Sequence, residues 1–158
     1  MTEQKTQEVI EQLNVSYNME IETVANYIAN SYWLDGMQAK HIKDSLAEDI
    51  EEEVQHAQRL ANRIKTLGGR IIGSQELKMN QDGMQPPQDS LDIMSVIDGV
   101  IAAEQGAIDQ YQKIIEMTGD ADPVTEDLAI ELKGEEEEHR RLFMGFKKEA
   151  ESMMTSNV

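Results

Sequence analysis

The feature that most constrains the fold is the repetition of apolar residues at helical spacing in four long segments. These segments cover about residues 3–35, 39–67, 90–118 and 123–153. Each is rich in residues that favour helix, whereas aromatic residues make up only 4% of the chain. A chain of 158 residues is long enough to bury a sizeable core, so we predict a single all-α domain over residues 1–158.

Residues that start or stop helices mark the limits of these segments. Gly36 ends the first segment, and the pair Gly68-Gly69 ends the second. Ser90 is the predicted N-cap of the third helix. Asp122 is the predicted cap of the fourth helix, with Pro123 in its first position.

The lengths of the connections predict the topology. Only a few residues separate the first helix from the second and the third from the fourth, so each pair should form an antiparallel hairpin. Roughly twenty residues rich in Gly, Pro, Gln and Asp lie between Gly68 and Asp89. Fully extended they would reach about 70 Å, whereas a helix of this length is about 45 Å long. We therefore predict an antiparallel four-helix bundle with a long crossover between helices two and three.

Single glutamates interrupt the apolar stripes of the first and third helices. Glu104 lies in a stripe of isoleucines that includes Ile101 and Ile108, and Glu20 holds a similar place in the first helix. Burying an unpaired carboxylate costs several kcal/mol, so both positions require a strong counter-charge.

The second and fourth helices each carry Glu-x-x-His in their stripes. Glu53 is followed by His56, and Glu136 by His139; this spacing points both side chains to one face of a helix. Two such pairs, with one glutamate from each remaining helix, form the ligand set of di-iron and di-manganese carboxylate bundles. Four carboxylates neutralise two divalent cations, and oxygen with imidazole suits iron or manganese. The predicted metal ligands are Glu20, Glu53, His56, Glu104, Glu136 and His139.

The duplicated spacing distinguishes this pattern from chance matches in an acidic chain. Glu20 precedes Glu53 by 33 positions, and Glu104 precedes Glu136 by 32. A single Glu-x-x-His would carry little weight among so many glutamates, but two sets in matching positions indicate a site built on a pseudo-two-fold plan.

A tyrosine follows each lone glutamate by seven residues, Tyr27 after Glu20 and Tyr111 after Glu104. Two helical turns keep each tyrosine on the ligand face. We expect Tyr27 to hydrogen-bond to Glu104 and Tyr111 to Glu20, supporting the reactive centre from outside the ligand set. The alternative is that both rings only pack, with hydroxyls that reach solvent.

The charge balance limits the classes of partner. The chain has 31 acidic and 14 basic residues, a formal net charge of -17, so its surface repels phosphate backbones and direct nucleic acid binding is not expected.

No segment approaches the roughly 18 apolar residues of a membrane span. The chain has no cysteine, so neither a disulfide nor a thiolate metal site is possible. We expect a soluble, cytoplasmic protein.

At these residues the sequence resembles the ferritin-like superfamily, in particular bacterioferritins and Dps-like proteins that hold an intrasubunit di-iron centre. The resemblance covers nearly the whole chain and rests on Glu20, Glu53-Val54-Gln55-His56, Leu67-Gly68-Gly69, Glu104 with Tyr111, and Glu136-Glu137-Glu138-His139. It implies that Glu53 and Glu136 bridge two metals, with Glu20 and His56 on one and Glu104 and His139 on the other. Tyr27 matches a tyrosine that these families place near the centre.

Three departures from these families shape the expectation. Bacterioferritins carry a haem-ligating methionine directly after the bridging glutamate of the second helix; Val54 stands here, so no haem is expected. The chain ends soon after Glu151, without the short fifth helix of 24-subunit ferritins, which favours a homo-oligomeric shell of twelve subunits. The segment Met1–Glu11 has one basic residue, Lys5, and so lacks the basic tail with which some Dps-like proteins bind DNA.

The resemblance implies a ferroxidase that stores or detoxifies iron, with two iron ions per subunit oxidised by O2 or H2O2. The first alternative is a di-metal peroxidase of the rubrerythrin-like group or a manganese catalase; the second is a structural bundle with an inert metal. Against the peroxidase, no four-cysteine domain is present, and Gly106 and Ala107 stand where an extra glutamate would follow Glu104. Manganese catalases are usually longer.

The other acidic and histidine residues near these motifs are interpreted as solvated surface. This interpretation applies to Glu51, Glu135, Glu137 and His41. It is also favoured for Glu48, Asp49 and Glu52, although these three residues lie just before the ligands of the second helix and could help to move iron toward a cavity.

Overall fold

Four long helices build the structure, a computed structural model that describes residues 1–156. They are α1 (Glu3–Trp33), α2 (Lys40–Thr66), α3 (Ile93–Thr118) and α4 (Pro123–Thr155). The most extensive contacts join α1 to α2 and α3 to α4, and α1 also packs on α3. The predicted all-α four-helix bundle is confirmed. No helix in the described part of the chain has the length and apolar character that a membrane crossing requires.

The corner between α1 and α3 differs from its prediction. The third helix begins at Ile93 rather than near residue 90, and its N-cap is Asp92, whose carboxylate accepts from the Ser95 amide at 3.1 Å. Ser90 donates its hydroxyl to Asp35 at 2.7 Å, and its carbonyl accepts from the Asp35 amide at 2.9 Å. The prediction of Ser90 as the cap is wrong because this long-range pair engages the serine just before α3.

The C-terminal end of α2 and the start of α4 agree with the sequence signals. Gly68 follows α2 with a φ of 84°, a left-handed conformation that favours glycine. Asp122 caps α4 and Pro123 is its first residue. Arg63 of α2 donates to the Asp122 carboxylate at 2.8 Å, so this cap also joins α2 to α4.

A polar stripe along α1 holds the crossover against the bundle. The stripe takes every fourth position: Asn14, Asn18, Glu22, Asn26 and Asn30. Asn18 donates to the Lys78 carbonyl at 2.9 Å and accepts from the Lys78 amide at 2.6 Å. The Glu22 carboxylate accepts from the amides of Asn80 and Gln81 at 3.0 and 2.7 Å. These bonds satisfy backbone groups of a connection that has only two short 3-10 turns of its own.

Two apolar clusters occupy the interior. One includes Tyr27, Leu46 and Phe143, and the other includes Leu13, Leu60 and Leu132. Along α1, Glu20 lies between Leu13 of one cluster and Tyr27 of the other, and along α2, Glu53 lies between Leu46 and Leu60. The fold therefore places the buried carboxylates between the two apolar clusters, which keep bulk water away from them.

Candidate metal centre

The six predicted metal ligands meet in the interior of the bundle. They form two overlapping groups, and within each group one ligand atom from every residue lies within 4.8 Å of the others. The groups are Glu20, Glu53, His56 and Glu136, and Glu53, Glu104, Glu136 and His139. Every one of these residues is at least nine-tenths buried. Because Glu53 and Glu136 belong to both groups, the geometry contains two adjacent positions with two shared carboxylates.

Both histidines turn the Nδ1 atom toward this centre. Nδ1 of His56 lies 2.8 Å from Glu136 and 3.6 Å from Glu53. Nδ1 of His139 lies 3.3 Å from Glu53 and 3.5 Å from Glu136. The two rings lie nearly parallel, with an interplanar angle of 13° and centroids 6.5 Å apart. The histidines therefore approach the shared carboxylates from equivalent directions, as the duplicated motif requires.

Several buried atoms of the candidate ligands have no hydrogen-bond partner within residues 1–156. These atoms are Oε1 of Glu53, Oε2 of Glu104 and Nδ1 of His139. A buried polar atom without a partner costs about 1–3 kcal/mol, and more when it is charged. Divalent cations at the two positions would satisfy all three atoms, so the donor set fits a pair of such ions.

The charges of the centre depend on one another. Burial by itself lowers the pKa of an imidazole, but the adjacent carboxylates of Glu136 and Glu53 outweigh this effect and raise the pKa of both His56 and His139 to about 11. Burial, with the negative charges of Glu136 and Glu53, raises the pKa of Glu104 well above its usual range. Without metal, protons therefore balance the clustered carboxylates, and a bound cation would take their place.

The tyrosines lie where the sequence predicts them. The hydroxyl of Tyr111 donates to Glu20 at 2.5 Å, and that of Tyr27 donates to Glu104. The alternative of hydroxyls that reach solvent is wrong, since the exposed fraction is 0% for Tyr27 and 1% for Tyr111. Burial raises the pKa of both phenols well above the usual value, so each remains a protonated donor to its carboxylate.

Two carboxylates that the sequence pattern indicates as solvated surface contact the outer edges of the histidines. Nε2 of His56 lies 2.5 Å from Glu135, and Nε2 of His139 contacts Glu52. Glu135 and Glu52 keep part of their side chains in solvent, with exposed fractions of 41% and 53%, yet each fixes an imidazole of the opposite helix. The signal was present in the sequence, because a glutamate stands directly before both Glu53 and Glu136.

Asp49 is buried as well, although the sequence pattern favoured a place on the solvated surface. Only 7% of this residue is exposed, and its Oδ1 lies 3.5 Å from Nε2 of His139. Burial raises the pKa of Asp49 to about 6, against the opposing effect of His139. The residues Glu48, Glu51, Glu137 and His41 are exposed, as predicted.

A family comparison identifies the architecture. The family model described as "Ferritin-like domain" matches residues 10–152, which is most of the chain. The chain belongs to the ferritin-like domain family. Its two overlapping groups of candidate ligands thus lie in a ferritin-like bundle, and both groups include Glu53 and Glu136.

Solved structures similar to this ferritin-like domain include several bacterial proteins. A dodecameric thioferritin from Bacteroides fragilis, described as bacterioferritin-related, is 25% identical, with a TM-score of 0.85 and coverage of 96% of this chain and 90% of that one. The Desulfovibrio desulfuricans bacterioferritin, which has a diiron site, is 23% identical, with a TM-score of 0.80 and coverage of 94% and 83%. A Dps protein from Vibrio cholerae O1 is 21% identical, with a TM-score of 0.80 and coverage of 90% and 91%. Comparison with curated proteins gives no significant match.

Proposed function

We propose that this ferritin-like domain stores iron and that it acts as a ferroxidase, oxidising Fe(II) at the buried carboxylate centre. The observation that carries the proposal is the pair of overlapping ligand groups that share Glu53 and Glu136. Two adjacent positions matter chemically because each Fe(II) gives up one electron. Two ions together supply the two electrons that, with two protons, reduce O2 to H2O2 or H2O2 to two waters.

Each residue of the centre has a defined part in this proposal. Glu53 and Glu136 bridge the two substrate ions, and their charges hold the ions at close range. Glu20 with His56, and Glu104 with His139, complete one position each. The four glutamates of the centre together balance the charge of two Fe(II) ions, so binding needs no further counter-ion.

Four neighbouring polar side chains act as positioning residues. Tyr111 and Tyr27 orient the terminal carboxylates through their hydroxyls, and Glu135 and Glu52 hold the outer nitrogens of the histidines. The apolar clusters on both sides exclude water, which strengthens these electrostatic contacts.

The proposed assembly is a twelve-subunit shell in the cytoplasm that contains no haem and does not bind nucleic acid directly. Support for the shell comes from the dodecameric state named for the Bacteroides fragilis relative. The net charge of -17 disfavours contact with phosphate backbones. Val54, at the position of the haem-ligating methionine, has no side-chain group that binds iron.

The deciding experiment combines native mass with iron loading. Metal-free protein is given two Fe(II) per subunit and then a large excess, with O2 or H2O2 supplied, and oxidation is followed by stopped-flow absorbance. We expect a fast phase that saturates at two Fe(II) per subunit and a shell that retains many more irons. A small oligomer that keeps two metals and only decomposes peroxide would identify a di-metal peroxidase or manganese catalase instead.

The two positions can be counted separately. His56→Ala and His139→Ala should each lower tight binding by about one ion per subunit in an anaerobic Co(II) titration, because each histidine belongs to only one group. A variant that still binds two tight ions would show that its histidine is not a ligand. His41→Ala is the matched control, since His41 lies on the surface.

A further inference from the structure

Methionines are concentrated at the end of the bundle where α2 begins and α4 ends. Two neighbouring cavities of about 230 and 290 Å³ lie there, and Met153 lines both of them. Met37 lines the first cavity, and Met94 and Met154 line the second. Four of the ten methionines of the chain therefore surround one small region. Met153 lies fourteen residues after His139, about 21 Å further along α4, so this region is separate from the metal centre.

Packing does not account for the methionines of this region. A methionine that fills a gap in the core is buried, as Met84 is with an exposed fraction of 2%. The exposed fraction is instead 94% for Met37, 42% for Met153 and 64% for Met154. A thioether in contact with solvent fills no gap and gains little from the removal of apolar area from water. These sulfur atoms are therefore available to a ligand.

A histidine adds an imidazole to the first cavity. His41 stands four residues after Met37, in a 3-10 turn that continues directly into α2, and both side chains line the cavity. Met153 lines the same cavity from α4. Below these three residues the lining is apolar and includes Ile97, which is completely buried, and Phe146. The cavity thus has two thioethers and one imidazole above an apolar floor.

Two thioethers with one imidazole are a ligand set for Cu(I). Soft sulfur ligands select Cu(I) and imidazole also suits copper, whereas carboxylate and water suit harder ions such as Mn(II). All three ligands are neutral, so a bound Cu(I) keeps a single positive charge. A single charge costs less to hold beside an apolar floor than the double charge of Fe(II) or Mn(II). Because the chain has no cysteine, thioethers are the only sulfur ligands that it can offer.

We propose that Met37, His41 and Met153 form a binding site for Cu(I) at this end of the bundle. The site goes beyond the proposed ferroxidase function and does not rest on it, because it shares no residue with the carboxylate centre. The unbranched side chains of the two methionines have three rotatable bonds each, which lets both sulfur atoms converge on one ion. Their exposure gives the ion direct access from solvent. The chain would then separate metals by donor type, with oxygen-rich ligands in the middle of the bundle and sulfur ligands at its end.

An anaerobic Cu(I) titration of the full-length, metal-free chain tests the proposal. A chromophoric Cu(I) chelator serves as the competitor, and its absorbance reports how much Cu(I) the protein holds. We expect one Cu(I) per subunit in the wild type, with sulfur neighbours in X-ray absorption spectra at the copper edge. The double variant Met37→Leu with Met153→Leu keeps two apolar side chains of similar size but removes both sulfur atoms. It should weaken Cu(I) binding by roughly 100-fold or more, because loss of a group that only orients a ligand already costs 10- to 100-fold. His41→Gln should weaken it as well.

Met144→Leu is the matched control, because it removes another exposed thioether from α4 and should retain Cu(I). All these variants should bind Co(II) at the carboxylate centre as the wild type does, so a failure of the copper site is distinguishable from a failure of the proposed function. A wild type that holds no Cu(I) against the chelator would overturn the proposal, as would occur if a second copy of the chain covered the cavity. Unchanged Cu(I) affinity in the double methionine variant would also overturn it. Loss of Cu(I) in His139→Ala alone would assign the ion to the metal centre instead.

Discussion

The hydroxyl of Tyr111 on α3 donates a hydrogen bond of 2.5 Å to Glu20 on α1, and both side chains are buried. Tyr27 on α1 makes the equivalent bond to Glu104 on α3. Each of these two helices thus supplies one glutamate and the tyrosine that orients the other helix's glutamate. This reciprocal arrangement gives the centre its pseudo-two-fold support.

Removing the two hydroxyls should slow iron oxidation without emptying the centre. Loss of a group that orients a metal ligand typically costs 10- to 100-fold in affinity or activity. Tyr27→Phe with Tyr111→Phe should therefore bind two Co(II) per subunit and oxidise Fe(II) roughly 10- to 100-fold more slowly in stopped-flow measurements. Tyr17→Phe is the control, because Tyr17 is a partly buried tyrosine that packs at the edge of a core cluster. Wild-type rates in the double variant would show that the tyrosines only fill space.

Removing either shared carboxylate should abolish the fast phase of oxidation. Glu53→Ala and Glu136→Ala each remove one candidate ligand from both positions at once. They also remove a buried negative charge that is costly without metal, so the bundle should still fold by circular dichroism. Glu51→Ala and Glu137→Ala, exposed neighbours on the same helices, should oxidise Fe(II) at the wild-type rate. Unchanged initial rates in both Glu53 and Glu136 variants would refute the assignment of the centre.

The free energy of unfolding should depend on pH through Asp122, the N-cap of α4. Burial would raise the pKa of Asp122, but bonds from Thr125 and the charge of Arg63 outweigh it and hold the pKa below its usual value. A carboxyl with a lowered pKa stabilises the fold above its unfolded pKa of 3.8, and this contribution is lost as the pH falls through the lower folded value.

Asp122→Asn should therefore lower the free energy of unfolding by about 1–2 kcal/mol at neutral pH, because the cap remains but the ion pair is lost. The difference from wild type should shrink as the pH falls below about 4. Urea unfolding at several pH values measures it. Asp120→Asn, an exposed neighbour, should show no such trend, and a constant difference at all pH values would exclude the charge as its cause.

The crossover should loosen when its anchor on α1 is removed. Glu22 accepts from two backbone amides at 3.0 and 2.7 Å, and bonds to a charged acceptor contribute roughly 1.5–3 kcal/mol each. Glu22→Ala should lower the free energy of unfolding by about 2 kcal/mol, since part of the loss is recovered when the amides bind water. Hydrogen exchange at Asn80 and Gln81 should become faster, whereas Glu11→Ala, on the exposed face of α1, should leave it unchanged. Unchanged protection in the Glu22 variant would mean that other contacts hold the crossover.

Sequence by itself determined the bundle and brought the six candidate ligands to one place. Helical periodicity is a local property, so the spacing in Glu53-Val54-Gln55-His56 already puts both donors on one face. The apolar stripe around Glu20 and Glu104 likewise required these carboxylates to be buried, and two reciprocal tyrosine bonds followed from a spacing of seven residues.

Tertiary structure alone decided which of the apparently solvated carboxylates contact a neighbouring helix. Glu135 and Glu52 look like solvated glutamates in sequence, yet each contacts a histidine of the facing helix because α2 and α4 present these positions to one another. Asp49 is buried while Glu48 beside it is exposed. Ser90 bonds to Asp35 rather than capping α3. These outcomes depend on the relative rotation of packed helices and on long-range pairs, and periodicity within one segment contains neither.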